Sequence, residues 1–168
     1  MPTSVPVWGS APPELDVTGR SYAVLAFGAQ ADEVTRTWIE QLHRLGHPVQ
    51  EHRVVEGDPS GVRWAQRQAG GARVGWRLCV AGPEADVLAT CAAVRAQGAV
   101  DAEITAHAVS TRRKNVLCTH CRSTTTTDAD VGCTCPCSGC GRELLVYHHV
   151  SRRHAGYMGF MADAEEQP

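Results

Sequence analysis

The cysteines constrain this chain more than any other feature, because six of the eight fall within one short stretch. Two Cys-x-x-Cys units occur there, Cys118 with Cys121 and Cys137 with Cys140, with fifteen residues between them. This spacing is typical of a four-thiolate zinc site, in which each tight turn aims two sulfur atoms at one metal ion. Gly141 follows the second unit and suits such a turn, because glycine readily adopts a positive φ. We therefore predict that these four cysteines bind one zinc ion.

The predicted site is structural rather than catalytic. Four thiolates complete a tetrahedral shell and leave no open position for water, and so short a segment needs the metal to fold. A single iron ion in a rubredoxin-like site is the alternative metal. Cys133 and Cys135 leave the ligand set partly open, because either could exchange into the site. A second metal ion could also use this pair together with a histidine, for which the candidates are His120, His148 and His149.

Charge and hydropathy exclude several classes of protein. The formal net charge of the 168 residues is -2, which argues against tight binding of nucleic acid, since that requires many Lys and Arg residues. No run of about 18 apolar residues is present, so we expect no membrane-spanning helix. The first residues lack a basic segment followed by an apolar one, so we expect no secretory signal. A cytoplasmic location with reduced thiols follows as an expectation, and it favours metal ligands over disulfides.

Residues 21–110 alternate between short apolar runs and amphipathic segments, as in an α/β domain with a parallel sheet covered on both faces. The predicted strands lie at residues 21–28, 48–55, 75–82 and 101–110. The predicted helices lie at residues 31–46 and 83–98, and residues 58–70 predict at best a short, weak helix. Pro83 suits the first position of its helix, and Gly46 suits an αL cap.

The phosphate-binding loop that such a sheet uses for nucleotides is missing. The stretch after the first strand, FGAQADEV, has one glycine, and Asp32 and Glu33 stand where a helix N-terminus would otherwise meet pyrophosphate. No G-x-x-x-x-G-K-S/T sequence occurs either. The sequence therefore predicts an α/β scaffold without its cofactor site.

The two ends of the chain flank these parts. We predict an irregular N-terminal arm over residues 1–20, in which Trp8 either anchors on a surface or belongs to a disordered tail. We predict a zinc ribbon over residues 111–150, with LLVY as its last strand, and a C-terminal tail over residues 151–168. The tail either packs on the ribbon or docks on a partner, since it contains residue types that are enriched in interfaces. The candidate partner-binding residues are Arg152, Arg153, Tyr157, Met158 and Phe160.

The motifs CTHC, CSGCG and LLVYHHVSRRHAGYMGF resemble the zinc module of the small subunit of bacterial dimethylamine monooxygenase, over residues 115–163. The resemblance implies a heteromeric enzyme that oxidises dimethylamine to methylamine and formaldehyde with O2 and NADPH. It implies haem, flavin and an iron–sulfur cluster on the partner subunits, and structural zinc at Cys118, Cys121, Cys137 and Cys140. No catalytic residue carries over to this chain.

A second, looser resemblance concerns WRLCVAGPEADVLATCAAVRAQG, which is similar to the Cys-Gly-Pro strand and helix of NAD-binding domains in ferredoxin-reductase-type flavoproteins. Ala81 interrupts the motif. Residues 21–110 are accordingly expected to be a degenerate reductase-like (Rossmann-like) domain within a non-catalytic assembly subunit. A stand-alone zinc-ribbon regulator that binds nucleic acid is the alternative, with a basic patch at Arg112, Arg113, Lys114, Arg152 and Arg153. A reductase that still binds NAD(P)H weakly is a third hypothesis.

Overall fold

The computed structural model describes residues 4–162. Contacts divide the chain into two units. The first, the α/β unit, comprises residues 8–110. The second, the cysteine unit, comprises residues 111–162 together with residues 4–7 among those described.

The four predicted strands of the α/β unit form one parallel sheet, with the order β2-β1-β3-β4. Their bounds are β1 Ser21–Phe27, β2 Val49–Val54, β3 Trp76–Pro83 and β4 Ile104–Ser110. The two central strands β1 and β3 are almost completely buried, which explains why their sequences are continuous apolar runs. The prediction of an α/β domain with a parallel sheet is therefore confirmed.

Three helices cover the two faces of this sheet: α1 Asp32–Arg44, α2 Pro59–Gly70 and α3 Glu84–Arg95. Trp38 and Leu42 of α1 pack on one face, in a cluster that also contains Tyr22 and Val24 of β1. Helices α2 and α3 pack on the opposite face against the alternate residues of β1 and β3. Pro83 ends β3 and caps α3 rather than occupying the first helical position, a difference of one residue from the prediction.

Helix α2 is better defined than its sequence predicts. Asp58 caps its N-terminus, because one carboxylate oxygen accepts a hydrogen bond from the N–H of Ser60 at 2.8 Å. The buried side of α2 consists of Gly61, Ala65 and Ala69. A Cβ atom at Gly61 would lie 2.7 Å from the Phe27 ring, so the glycine allows the helix to approach β1 closely. Contact through such small residues leaves only a weak apolar pattern in the sequence.

The N-terminal arm has no helix or strand over residues 4–20, but it is packed rather than free. Trp8 donates a hydrogen bond from Nε1 to Oε1 of Glu84 at 2.9 Å. Leu15 is buried in the cluster beneath α1. Asp16 accepts a hydrogen bond from Nε of Arg77 at 2.9 Å. Of the two predictions for Trp8, the structure agrees with the one in which the side chain anchors on a surface. Residues 1–3 lie outside the described part of the chain.

The cysteine unit contains a second, five-stranded sheet with the order β6-β5-β9-β8-β7. The strands are β5 Lys114–Cys118, β6 Thr124–Thr127, β7 Thr134–Pro136, β8 Glu143–Ser151 and β9 Gly156–Met161. Strand β9 pairs in parallel with β5 and antiparallel with β8. The part of the expected tail that lies at residues 156–161 is thus the central strand of this sheet, and residues 163–168 lie outside the described residues.

The alternation of side chains gives the second sheet an inner and an outer face. The inner face forms a small apolar core, with Val116, Leu144, Val146, Val150 and Tyr157 all nearly inaccessible to solvent. Leu145 and Phe160 pair across β8 and β9 and point to the outer face. The ring of Tyr147 contacts that of Phe160, and Met158 lies two residues before Phe160 on the same side of β9. Among the described residues, none of the helices has the length and apolar character that a bilayer-spanning helix requires.

Candidate metal centre

The four sulfur atoms of Cys118, Cys121, Cys137 and Cys140 lie within 4.8 Å of one another. The Sγ atoms of Cys118 and Cys140 are 3.9 Å apart, and those of Cys121 and Cys137 are 3.6 Å apart. Tetrahedral zinc with Zn–S distances of about 2.3 Å requires sulfur–sulfur distances of about 3.8 Å. The observed arrangement therefore fits a single tetrahedral zinc ion with four thiolate ligands.

The two cysteine turns have the same backbone hydrogen bonds, which explains why both pairs point at one centre. In the first turn, the N–H of Arg122 donates to the carbonyl oxygen of Cys118 at 3.0 Å, and the N–H of Cys118 donates to that of Ser123 at 2.9 Å. In the second turn, the N–H of Gly141 donates to the carbonyl oxygen of Cys137 at 2.9 Å, and the N–H of Cys137 donates to the carbonyl oxygen of Arg142 at 2.8 Å. The same pair of backbone hydrogen bonds thus closes each Cys-x-x-Cys unit into a loop.

Backbone N–H groups also point at the sulfur atoms. The N–H of Cys121 lies 3.5 Å from Sγ of Cys118, and the N–H of Cys140 lies 3.5 Å from Sγ of Cys137. A further N–H, that of Gly139, is 3.4 Å from the sulfur of Cys137. Such donors stabilise thiolates, and a cluster of four negative sulfur atoms around one dication needs this stabilisation.

The residue after each second cysteine adopts the left-handed conformation. Gly141 has φ 72°, as the sequence predicts for a turn of this kind. Arg122 has φ 65° at the equivalent position of the first turn, where a side chain makes this conformation more costly. The first turn therefore keeps an unfavourable backbone geometry that its hydrogen bonds have to compensate.

The two turns touch through Gly139. A Cβ atom there would lie 2.7 Å from Cβ of Ser123 and 3.1 Å from Sγ of Cys121. Ser123 in turn donates hydrogen bonds to the sulfur of Cys121 from both its hydroxyl group and its backbone, and these lower the pKa of that thiol. The glycine at this position is thus required by the close approach of the two turns.

The pKa values of two thiols in the cluster are shifted in opposite directions. The pKa of Cys137 is lowered to about 6, chiefly because the N–H of Cys140 donates to its sulfur. For Cys140, the N–H of Arg142 acts to lower the pKa, but burial and the neighbouring sulfur atoms raise it to about 11. A zinc ion bound here would hold all four cysteines as thiolates.

The remaining cysteines lie apart from the centre. Cys133 is exposed, and Cys135 is buried on the inner face of the second sheet, where burial raises its pKa. No other group of three or more potential metal ligands converges among residues 4–162. Cys79 and Cys91 lie in the core of the α/β unit, and burial raises their pKa values to about 12 and about 11, so they are unreactive thiols.

The carboxyl edge of the parallel sheet has acidic side chains that the sequence analysis did not single out. Glu84 is 1% exposed and Asp86 is 7% exposed. Asp86 accepts a hydrogen bond from the N–H of Gly57 at 3.0 Å, and the side chain of Glu56 lies against Gly28, directly after β1. In open α/β sheets, nucleotide phosphates usually bind at this edge. The sequence does not indicate that Glu84 and Asp86 are buried at this edge, because acidic residues are common in the first turn of any helix.

The candidate partner-binding residues lie in different environments. Tyr157 is 2% exposed and belongs to the inner core. Phe160 is 42% exposed, Met158 is partly buried, and both belong to the outer face. Arg152 and Arg153 are exposed in the turn between β8 and β9.

Comparison with known proteins gives two matches. Residues 115–160 match the family model described as "Dimethylamine monooxygenase subunit DmmA-like, C-terminal domain". A curated relative, the "Heme-dependent oxidative N-demethylase delta subunit" of Ectopseudomonas mendocina (strain ymp), is 37% identical over 95 residues. The alignment covers 56% of this chain and 53% of the relative, so the chain spans about half the length of the curated relative it matches.

No solved structure gives a significant match to this chain. The matched segment of the family model contains all four cysteines of the candidate centre and every strand of the second sheet except the first residue of β5 and the last of β9. The resemblance to a dimethylamine monooxygenase subunit that the sequence predicted is therefore confirmed over residues 115–160.

Proposed function

We propose that this chain is a non-catalytic accessory subunit of a heteromeric dimethylamine monooxygenase. The complex would oxidise dimethylamine to methylamine and formaldehyde with O2 and NADPH. Haem, flavin and an iron–sulfur cluster would reside on partner subunits. The observation that carries the proposal is the family match of residues 115–160, the segment that contains all four clustered cysteines. The name of the curated relative, a delta subunit of a haem-dependent N-demethylase, supports the same assignment.

In this proposal, Cys118, Cys121, Cys137 and Cys140 bind a structural zinc ion. Four thiolates leave no position for a substrate or water, so the metal has no catalytic part. The inner core of the cysteine unit is small, and metal binding would supply much of its folding free energy. The zinc ion would keep the two cysteine turns and the five-stranded sheet in one fixed arrangement.

We further propose that the α/β unit derives from a reductase-like domain that no longer binds a nucleotide. The carboxylate of Asp86 already accepts a hydrogen bond from the N–H of Gly57, and the side chain of Glu56 lies against Gly28. These carboxylates would repel the phosphates of NADPH from the edge of the sheet. The unit would then serve as a rigid body, and the contribution of the subunit to the reaction would be to hold the redox subunits in register.

The test of the proposed function is purification of the full-length chain, with an affinity tag, from its native host grown on dimethylamine. We expect a haem Soret band and flavin absorbance in the eluate, and dimethylamine-dependent formation of formaldehyde when NADPH is added. A colourless eluate without this activity would contradict the proposal. Nucleic acid in such an eluate would instead support the alternative, a stand-alone zinc-ribbon regulator that binds nucleic acid.

The structural-metal claim has its own experiment. Substitution of Cys137 and Cys140 by Ser removes two of the four ligands, so we expect loss of the metal and of the folded cysteine unit. Cys133→Ser is the matched control, because Cys133 is exposed and outside the cluster. Metal analysis of the purified chain should give about one zinc ion per chain for the wild type and for the control. A double variant that keeps a folded cysteine unit, or iron in place of zinc, would contradict the claim.

A further inference from the structure

The outer face of the second sheet has an exposed aromatic cluster. Tyr147 is 37% exposed and Phe160 is 42% exposed, and their ring centroids lie 5.2 Å apart at an interplanar angle of 88°. The exposed ring of His148 lies 4.1 Å from that of Tyr147. Leu145 and Met158 lie beside these rings on the same side of the sheet. Together they form the aromatic face, which consists of Leu145, Tyr147, Met158 and Phe160.

The inner core of the cysteine unit does not include the aromatic face. The opposite face of β8 and β9 forms the inner core, with Leu144 and Val146 fully buried. Alternating strands usually have polar residues on the side that faces solvent, and here the edge strand β6 follows that rule with Thr124 and Thr126. Aromatic and Met side chains at the centre of a sheet face are instead typical of the cores of protein interfaces.

The charges next to the aromatic face are mainly positive. Within the hairpin of β8 and β9, residues 143–161, the acidic and basic residues are one glutamate and two arginines, whereas the whole chain has a net charge of -2. Arg152 and Arg153 are exposed in the turn of this hairpin. Four residues of extended strand, about 13 Å, separate Phe160 from the start of β9 at this turn. Both features therefore fall within the area of one interface of ordinary size.

We propose that the aromatic face is the surface by which this chain binds a partner subunit, and that the partner has an apolar centre with acidic residues around it. The proposal rests on the proposed function, because the partner is another subunit of the same complex. A second copy of this chain fits poorly, because its own hairpin has the same positive charges. A nucleic acid also fits poorly, because the net charge of the chain is negative and the face contains no lysine.

The experiment co-expresses the full-length chain with the haem and flavin subunits and measures how much of each subunit co-purifies. In the Tyr147→Ser/Phe160→Ser variant we expect recovery of the partner subunits to fall by about tenfold or more. The matched control is Leu45→Ser/Val74→Ser, which removes two exposed apolar side chains, 54% and 91% exposed, from the α/β unit. The control should recover the partners as the wild type does.

A second variant, Arg152→Glu/Arg153→Glu, changes only exposed side chains and tests the acidic rim without altering the sheet. We expect it to lose recovery most strongly at low salt, where the attraction between charges is greatest. Normal recovery with both variants would overturn the inference. A wild-type chain that forms a dimer, which only the Tyr147→Ser/Phe160→Ser variant disrupts, would also overturn the inference. Binding of RNA that depends on Tyr147 and Phe160 would overturn it as well. A wild-type chain that recovers no partner at all would instead contradict the proposed function.

Discussion

At the scale of single residues, the geometry of the cysteine centre depends on a position that offers no ligand. Gly139 lies where the two turns meet, and a single added carbon atom would collide with Ser123. Ser123 is itself a hydrogen-bond donor to Cys121. The absence of a side chain at Gly139 and the orientation of the ligand Cys121 therefore depend on each other. Neither Gly139 nor Ser123 is a metal ligand.

We predict that Gly139→Ala weakens zinc binding by about tenfold, the low end of the range for changes in residues that orient metal ligands. The reason is the contact of 2.7 Å between the new Cβ atom and Cβ of Ser123, which has to be relieved by movement of the first turn. Competition with a chromogenic chelator at fixed pH measures the affinity.

The matched control for this prediction is Gly71→Ala, where the nearest atom to a new Cβ is 3.7 Å away. Zinc affinity should be unchanged in the control. The double variant Ser123→Gly/Gly139→Ala removes the colliding side chain and should recover part of the lost affinity, despite losing the hydroxyl donor. Equal affinity of Gly139→Ala and the wild type would show that the turns tolerate the extra carbon.

At the scale of elements, the N-terminal arm is held to the α/β unit partly by an ionised carboxylate. The pKa of Asp16 is lowered from 3.8 to about 2, first because the hydroxyl group of Thr18 donates to it and then because its backbone N–H and Arg77 do so. A carboxylate with a lowered pKa stabilises the folded state above its unfolded pKa, and this contribution is lost as the pH falls through the folded pKa.

We therefore predict that the α/β unit loses part of its stability between about pH 4 and pH 2, and that Asp16→Asn reduces this loss. Denaturant unfolding followed by tryptophan fluorescence, at several pH values across this range, measures the effect. The difference in stability between the wild type and the variant should be largest near pH 5 and smallest near pH 2. An identical pH profile for both chains would contradict the prediction.

The elements also show which features of the fold the sequence could predict. The strands β1 and β3 and the helices α1 and α3 were predictable because their apolar patterns are local. The sheet of the cysteine unit was mostly missed, since β6 is four threonines and the place of β9 depends on a non-local pairing with β5. The cysteine turns followed from spacing alone, whereas Gly139 and the anchoring of Trp8 by Glu84 depend on contacts between distant residues.

At the scale of the whole molecule, the two units have separate spectroscopic reporters. All four tryptophans, Trp8, Trp38, Trp64 and Trp76, belong to the α/β unit, whereas the clustered cysteines belong to the cysteine unit. Tryptophan emission therefore reports on one unit, and the bound metal reports on the other.

We predict that removal of the metal with a chelator, under reducing conditions, unfolds the cysteine unit and leaves tryptophan emission nearly unchanged. The physical reason is that the apolar core of the α/β unit is complete without any cysteine of the centre. Amide NMR signals of the cysteine unit should lose dispersion, and added zinc should restore them. A red shift of tryptophan emission on chelation would contradict the independence of the two cores.

The position of β9 has a consequence for the order in which the two units can fold during synthesis. Strand β9 follows β8 in the chain but lies between β5 and β8 in the sheet. When the ribosome has completed the α/β unit and the first cysteine turn, β5 still lacks its parallel neighbour, which is synthesised about forty residues later. The α/β unit can therefore fold while the chain is still growing, whereas the cysteine unit has to wait for nearly all of the described residues.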